Sequence, residues 1–167
     1  MTSVTDPPPP ERRDREIQER VHDPYRMRAK AEGPAVCPQC GVVYEAGLWQ
    51  WKKAPPPGAG ELLCPACQRI RDALPAGEIA VHGSFAAKHR NDIDALIRDV
   101  ERVEKEEHPL NRIMEQQWTG ARLKVTTTDI HLARRIGSAL YDAYRGTLRY
   151  RYPAEEYFLR VDWSRDK

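Results

Sequence analysis

Apolar positions recur with a helical period in two stretches of this chain. Between residues 85 and 108, Ile93, Leu96, Ile97, Val100 and Val103 form one stripe, and between 130 and 145, Ile130, Ala133, Ile136, Gly137, Leu140 and Tyr144 form another. Pro109 ends the first predicted helix and Gly146 the second, while Asp129 or Thr128 offers an N-terminal cap. The flanking segments alternate apolar and polar instead, which predicts strands at residues 78 to 83, 112 to 118, 122 to 127, 147 to 152 and 156 to 163. Thr119-Gly120 and Pro153-Ala154 supply the tight turns. The order β-α-β-β-α-β with one extra C-terminal strand predicts an α+β, ferredoxin-like sandwich over 78–167, with helices on one sheet face and the other face bare.

Strand alternation then states what the bare face displays. Leu123 and Val125 turned inward leave Arg122, Lys124 and Thr126 outward; Leu148, Tyr150 and Tyr152 inward leave Arg149 and Arg151 outward. His82 and Arg160 fall on the same outer side, and because the first and third strands of such a sheet are neighbours, His82 is expected beside Arg122 and Lys124. Clustered cations repel unless an anion joins them, and a phosphate backbone is the natural anion. Strand-edge cations also serve as ordinary solvation and protection against aggregation. Phe158 is the one aromatic expected on this face, which favours backbone contact over base reading. His131, Arg134, Arg135, Ser138 and Arg145 line the solvent side of the second helix, either as a solvated face or as a further basic edge. The candidate RNA-binding set is therefore His82, Arg122, Lys124, Arg149, Arg151 and Arg160, with Arg134 and Arg135. Asp94 to Arg98 and Glu101 to Lys105 read as stabilising pairs along the first helix.

Upstream, residues 42 to 44 and 48 to 51 predict two short strands turning at Ala46-Gly47, and 66 to 74 a short helix. They are framed by Cys37-Pro38-Gln39-Cys40-Gly41 and Cys64-Pro65-Ala66-Cys67, which contain all 4 cysteines of the chain. Two Cys-x-x-Cys knuckles supply four thiolates, the full tetrahedral shell of a structural Zn²⁺, with no position left for water or substrate. The prolines stiffen the knuckles, and Gly41 can adopt the positive φ that turns backbone N–H groups toward sulfur. Residues 54 to 60, rich in Pro and Gly, read as a loop lengthening the interval between knuckles. Paired disulfides and a redox dithiol are the competing readings. Trp49 and Trp51 share a strand face, either as the small core or domain seam of this zinc ribbon, or as a stacking or partner-binding surface.

The chain of 167 residues thus divides into an arm at 1–36, a zinc ribbon at 37–77 and an α/β sandwich at 78–167. The arm, with Pro7 to Pro10 and a charged stretch after it, has little to bury and is expected to be disordered, with Tyr25, Arg26, Arg28 and Lys30 available to order on a phosphate backbone. Net charge is +2 and pI about 8.4, too mild alone to declare a nucleic-acid binder. From Trp118 to Lys167, however, 10 Lys or Arg face 6 Asp or Glu, so the C-terminal third is +4. No signal-peptide core and no membrane-length apolar run is present, so a reducing cytoplasmic location without membrane partners is expected.

No phosphate-binding glycine loop, dinucleotide fingerprint or His-Glu-x-x-His motif occurs. His82, Asp129 and His131 are the only weak candidates for acid–base work, and the expectation is a protein that is not an enzyme. The two cysteine knuckles, the strand Ile79-Ala80-Val81-His82-Gly83 and the run from Leu123 through Ala133 resemble the N-terminal part of the ribosomal large-subunit export-adaptor family of eukaryotes and archaea, and small bacterial proteins related to it. The resemblance spans about residues 37 to 160. It implies binding to large-subunit ribosomal RNA or its proteins through the zinc module and the following α/β domain, without catalysis. The expected function is a zinc-binding, RNA-binding protein of the large ribosomal subunit acting in assembly, quality control or dormancy. The alternatives are a zinc-ribbon protein–protein adaptor using Trp49 and Trp51, and a hydrolase or transferase.

Overall fold

The computed structural model describes residues 23–26 and 32–167. Most of the expected arm, including Arg28 and Lys30, lies outside the described residues. The fold is mixed α+β, with two sheets and four helices. No helix among the described residues is long and apolar enough to cross a membrane.

The cysteine-bearing module contains β1 (Ala35–Val36), β2 (Val43–Glu45), β3 (Leu48–Gln50), β4 (Gly60–Glu61) and α1 (Pro65–Asp72), with sheet order β3-β2-β1-β4. Ala46 (φ 53°) and Gly47 (φ 85°) both take positive φ, the backbone of a two-residue hairpin turn that matches strand twist. Ala35 and Val36, read as the end of the arm, form the interior strand of this small sheet, antiparallel to β2 and parallel to β4. Residues 23–26 also belong with the module. Tyr25 N–H donates to Asp23 Oδ1 (2.9 Å), making a turn whose second residue is Pro24, and Arg69 of α1 bonds Asp23 Oδ1 at 2.6 Å while lying 4.4 Å from the Tyr25 ring centroid. Tyr25, read as a residue awaiting phosphate, donates instead to Asp72 (2.9 Å).

The second unit runs β5 (Gly77–His82), α2 (Ser84–Lys88), α3 (Arg90–Glu107), β6 (Ile113–Thr119), β7 (Arg122–Thr127), α4 (Ile130–Tyr144), β8 (Thr147–Arg151) and β9 (Leu159–Ser164). Its sheet order is β6-β7-β5-β9-β8. β5 pairs antiparallel with β7, the expected first and third neighbours. The extra C-terminal strand does not add at an edge. β9 lies parallel to β5 and antiparallel to β8, and so displaces β8 to the edge. The side chains explain this choice: Leu159, Val161 and Trp163 are all buried, whereas Leu148 and Tyr150 of β8 are half-buried, so the more apolar strand takes the interior. Helices cover one sheet face, and Gly137 of α4 is required there, since a Cβ at that position would lie 2.7 Å from Val161 Cγ1.

Several local expectations are corrected. The single helix over 85 to 108 is two helices, broken at His89 (φ −118°, ψ 33°). The His89 ring stacks on Phe85 at 4.1 Å, and its N–H serves the carbonyls of both Phe85 (3.0 Å) and Ala86 (3.2 Å). Val103, placed in the apolar stripe, is exposed, and Glu104 is buried in its stead, accepting from Asn111 Nδ2 (3.1 Å) and paired with Arg135 (3.1 Å). Asp94 and Glu101, expected to pair along their helix, reach across to β6: Asp94 Oδ1 accepts from Gln116 (2.8 Å) and Trp118 (3.1 Å), and Glu101 from the Ile113 N–H (2.6 Å). Thr126 is buried between its ladder partners Glu115 and Glu78, and Tyr152, past the end of β8, is exposed. Asp129 is the cap of α4, accepting from the N–H groups of His131 (2.8 Å) and Leu132 (3.1 Å).

Candidate metal centre and the open sheet face

The Sγ atoms of Cys37, Cys40, Cys64 and Cys67 all lie within 4.8 Å of one another, three of them on buried residues, and the four can hold a metal ion. All are free thiols, and Cys40 and Cys64 stand 3.8 Å apart at sulfur. That is far beyond a disulfide bond of about 2.05 Å. It is the edge of a tetrahedron with sulfur about 2.3 Å from its centre, so the spacing is compatible with zinc.

Local backbone makes the cluster. Gly41 (φ 82°) closes the first knuckle, its N–H bonded to the Cys37 carbonyl (2.9 Å), while Cys37 N–H bonds Val42 O (2.9 Å). Cys64 caps α1: its Sγ accepts from Cys67 N–H (3.4 Å), and Pro65 starts the helix where no donor is needed. Cys64 N–H in turn points at Cys37 Sγ (3.4 Å), joining the knuckles. Burial works against ionisation of Cys37, but backbone N–H groups of Cys64, Cys40 and Gln39 outweigh it and bring the thiol down to about 6. Burial pushes Cys64 and Cys67 up.

One member of this site was missed in the sequence. Arg112, only 6% exposed, donates from Nη1 to Cys67 Sγ (3.3 Å) and from Nη2 to Cys40 Sγ (3.1 Å). Its own loop is pinned to β7 and α4: Arg112 N–H donates to Thr128 Oγ1 (2.9 Å), Thr128 N–H to Arg112 O (2.9 Å), Thr128 Oγ1 to Leu110 O (2.6 Å), and Arg112 Nε to Pro109 O (2.8 Å). Leu110 packs on the cysteine core beside Trp49 and Leu63. Trp49 leans on Tyr44 (5.2 Å), and Trp51 donates to Lys105 O (2.8 Å) with the Arg112 guanidinium 5.6 Å from its ring centroid. Trp49 thus packs in the module's small core, while Trp51, 38% exposed, lies at the seam with the 105–112 segment.

The face opposite the helices can be mapped from strand register. One row reads Gln117, Lys124, Ala80, Asp162, Arg149, and the next reads Glu115, Thr126, Glu78, Arg160, Arg151. Arg122, Arg149, Arg151 and Arg160 with His82 surround a depression of about 680 Å³ floored by Ala80. The face is less uniformly cationic than expected, because Glu78 and Asp162 also line the depression. His82 Nε2 lies 3.1 Å from both oxygens of Asp162, and Arg160 lies 3.8 Å from Glu78 and 5.1 Å from the Phe158 ring centroid. The alternation that placed His82 outward also places Glu78 and Asp162 there, so both were readable from sequence.

Arg134 and Arg135 do not join this group. They sit on α4, on the other side of the sheet, Arg134 5.5 Å from the Tyr150 ring centroid and Arg135 on Glu104. His82, Asp129 and His131 do not converge either. Gly77 at the start of β5 abuts Asp129 O, and His82 ends the same strand, about 16 Å further along at roughly 3.3 Å per residue. Comparison of the chain with protein-family models, with curated proteins and with solved structures returned no match.

Proposed function

We propose that the cysteine module is a zinc ribbon, that its Zn²⁺ is structural, and that the protein binds RNA through the open sheet face, associating with the large ribosomal subunit in assembly, quality control or dormancy. The metal reading rests on four sulfur donors gathered within 4.8 Å of one another, with backbone N–H groups turned toward Cys37 and Cys64. An all-thiolate shell favours a soft or borderline ion, and Zn²⁺ is the common one for paired knuckles. The RNA reading rests on one observation: four arginines of three adjacent or near-adjacent strands surround a single depression on the uncovered face. Guanidinium groups suit phosphate because their planar fork bonds two oxygens at once. Large-subunit association follows the family resemblance of the knuckles and of the 79–83 and 123–133 runs.

Salt-dependent RNA affinity tests this. Four phosphate contacts to a single strand predict a slope of about −3 in log K against log salt, or an approximately 50-fold loss between about 50 and 200 mM. Replacing Arg122, Arg149, Arg151 and Arg160 with Ala is expected to abolish that slope. Salt-insensitive binding, or wild-type affinity in the fourfold variant, rejects the reading.

Exposed apolar residues of the module favour a second reading, a protein–protein adaptor. Leu48 (66% exposed), Ile70 (45%) and Leu74 (54%) lie bare, whereas Trp49 and Trp51 are engaged within the molecule. Salt-insensitive capture of one protein, lost on replacing Leu48 and Ile70 with Ser, distinguishes this reading from the first.

A further inference from the structure

Arg112 is the one charged side chain donated to the sulfur cluster by the α/β domain, and it comes from 45 residues past Cys67 and 72 past Cys40. Nη1 reaches Cys67 Sγ (3.3 Å), and Nη2 reaches Cys40 Sγ (3.1 Å) with a longer approach to Cys64 Sγ (3.8 Å), so a single fork spans both halves of the module. A divalent ion held by four thiolates leaves two negative charges in a buried place. Such excess charge is costly unless donors and a counter-charge face it. Backbone N–H groups of the module approach Cys37 and Cys64, while the guanidinium faces Cys40 and Cys67 most closely and Cys64 at 3.8 Å. The module therefore does not complete the outer shell by itself.

We infer that Arg112 is the outer-shell positioning residue of the metal centre, and that metal loading thereby fixes how the cysteine module docks on the α/β domain. This rests on the metal reading above. The ion draws four sulfurs into one concave acceptor; without it the knuckles are free to spread, and Arg112 loses the geometry that accepts its fork. The effect passes into the second domain along a short path. Arg112 is tied to Thr128 at the β7–α4 junction, and Trp51 bridges from beside the guanidinium to Lys105 at the end of α3. Outer-shell partners of metal ligands usually contribute 10–100-fold to metal affinity.

Cobalt(II) added to the metal-free full chain provides the test, because the thiolate-to-cobalt charge-transfer band reports hydrogen bonds to sulfur. The expected result is a tetrahedral spectrum in the wild type. Arg112→Gln should weaken cobalt affinity about 10–100-fold and shift the band. Arg112→Lys should recover part of the affinity through its charge while leaving the band displaced. In parallel, chelating the metal from the wild type should raise amide hydrogen exchange at residues 109–113 and 128–132, a readout that holds even where the Gln variant does not fold. A normal wild-type spectrum that Arg112→Gln leaves unchanged in affinity and energy overturns the inference alone, as does unchanged exchange on chelation. Absence of any tetrahedral spectrum in the wild type overturns the metal reading and this inference with it.

Discussion

Cys37 and Cys64 touch through a 3.4 Å N–H···S contact yet titrate in opposite directions, Cys37 down to about 6 and Cys64 upward. Deep burial, helped by the neighbouring Cys40 charge, holds the Cys64 thiol up, whereas at Cys37 three backbone N–H groups outweigh burial. A metal ion taken up by the cluster must displace whatever protons the thiols hold, so this asymmetry gives metal loading a definite pH dependence. Cys64 and Cys67, raised by burial, keep their protons at neutral pH in the metal-free protein, and on the proposed zinc reading apparent affinity therefore climbs as pH rises through that range. Cys37 is already ionised above about 6, adds nothing to the slope there, and adds one further proton below it. Chelator competition between about pH 5.5 and about pH 8 should show the affinity falling more steeply on the acid side of 6, and a uniform slope would contradict the assignment. At this scale the ligands were legible because knuckle spacing is local. Arg112 was not, since nothing in the residues around it signals a partner so far back in the chain.

Among the elements, α3 and α4 show how burial overrides a periodic pattern. The stripe on α3 runs as expected through Ile93 and Ile97 and then turns to Glu104 rather than Val103, because the 109–112 loop and Arg135 give that carboxylate partners it could not have in an apolar seam. Arg135 is thereby a strut between helices. Replacing it with Ala leaves Glu104 buried with Asn111 as its hydrogen-bond donor and is expected to cost about 1–2 kcal/mol. Thermal unfolding should register that as a drop of several degrees at this chain length. On the proposed RNA reading, Arg135→Ala leaves RNA affinity unchanged, in contrast to replacement of the four sheet arginines. A loss of RNA binding with unaltered stability would return Arg135 to the binding set. The helix break at His89 belongs to the same scale: it sets α2 apart from α3, with Phe85 of α2 packed on Tyr144 (5.4 Å) and Trp163 (6.4 Å).

In the whole molecule the position of β9 has the largest consequences. An appended edge strand could be removed at modest cost; one lying between β5 and β8 cannot, because its loss breaks two ladders and takes the buried side chains of Leu159, Val161 and Trp163 out of the core. Deleting residues 156–167 should therefore unfold the α/β domain, seen as collapse of amide dispersion in a nitrogen–proton NMR spectrum. A well-dispersed truncated protein would contradict the interior placement. The same insertion shapes the open face: it sets Arg160 and Asp162 between the outward residues of β5 and β8, so the depression at Ala80 is built from strands that are distant in the chain.

From sequence alone came most of the elements, the four cysteines that cluster and the outward placement of His82, Arg122, Lys124, Arg149, Arg151 and Arg160, all of which depend on spacings of two to four residues or on knuckles that signal themselves. Chain folding in three dimensions decided what those periodicities leave open: that β9 enters the sheet, that carboxylates share the arginine face, that Trp51 bridges two domains, and that a guanidinium from the second domain reaches the sulfurs of the first. The division has a physical cause. Local spacing controls which side of an element a residue occupies, whereas partners across the molecule are selected by which buried charges and apolar faces can be satisfied together.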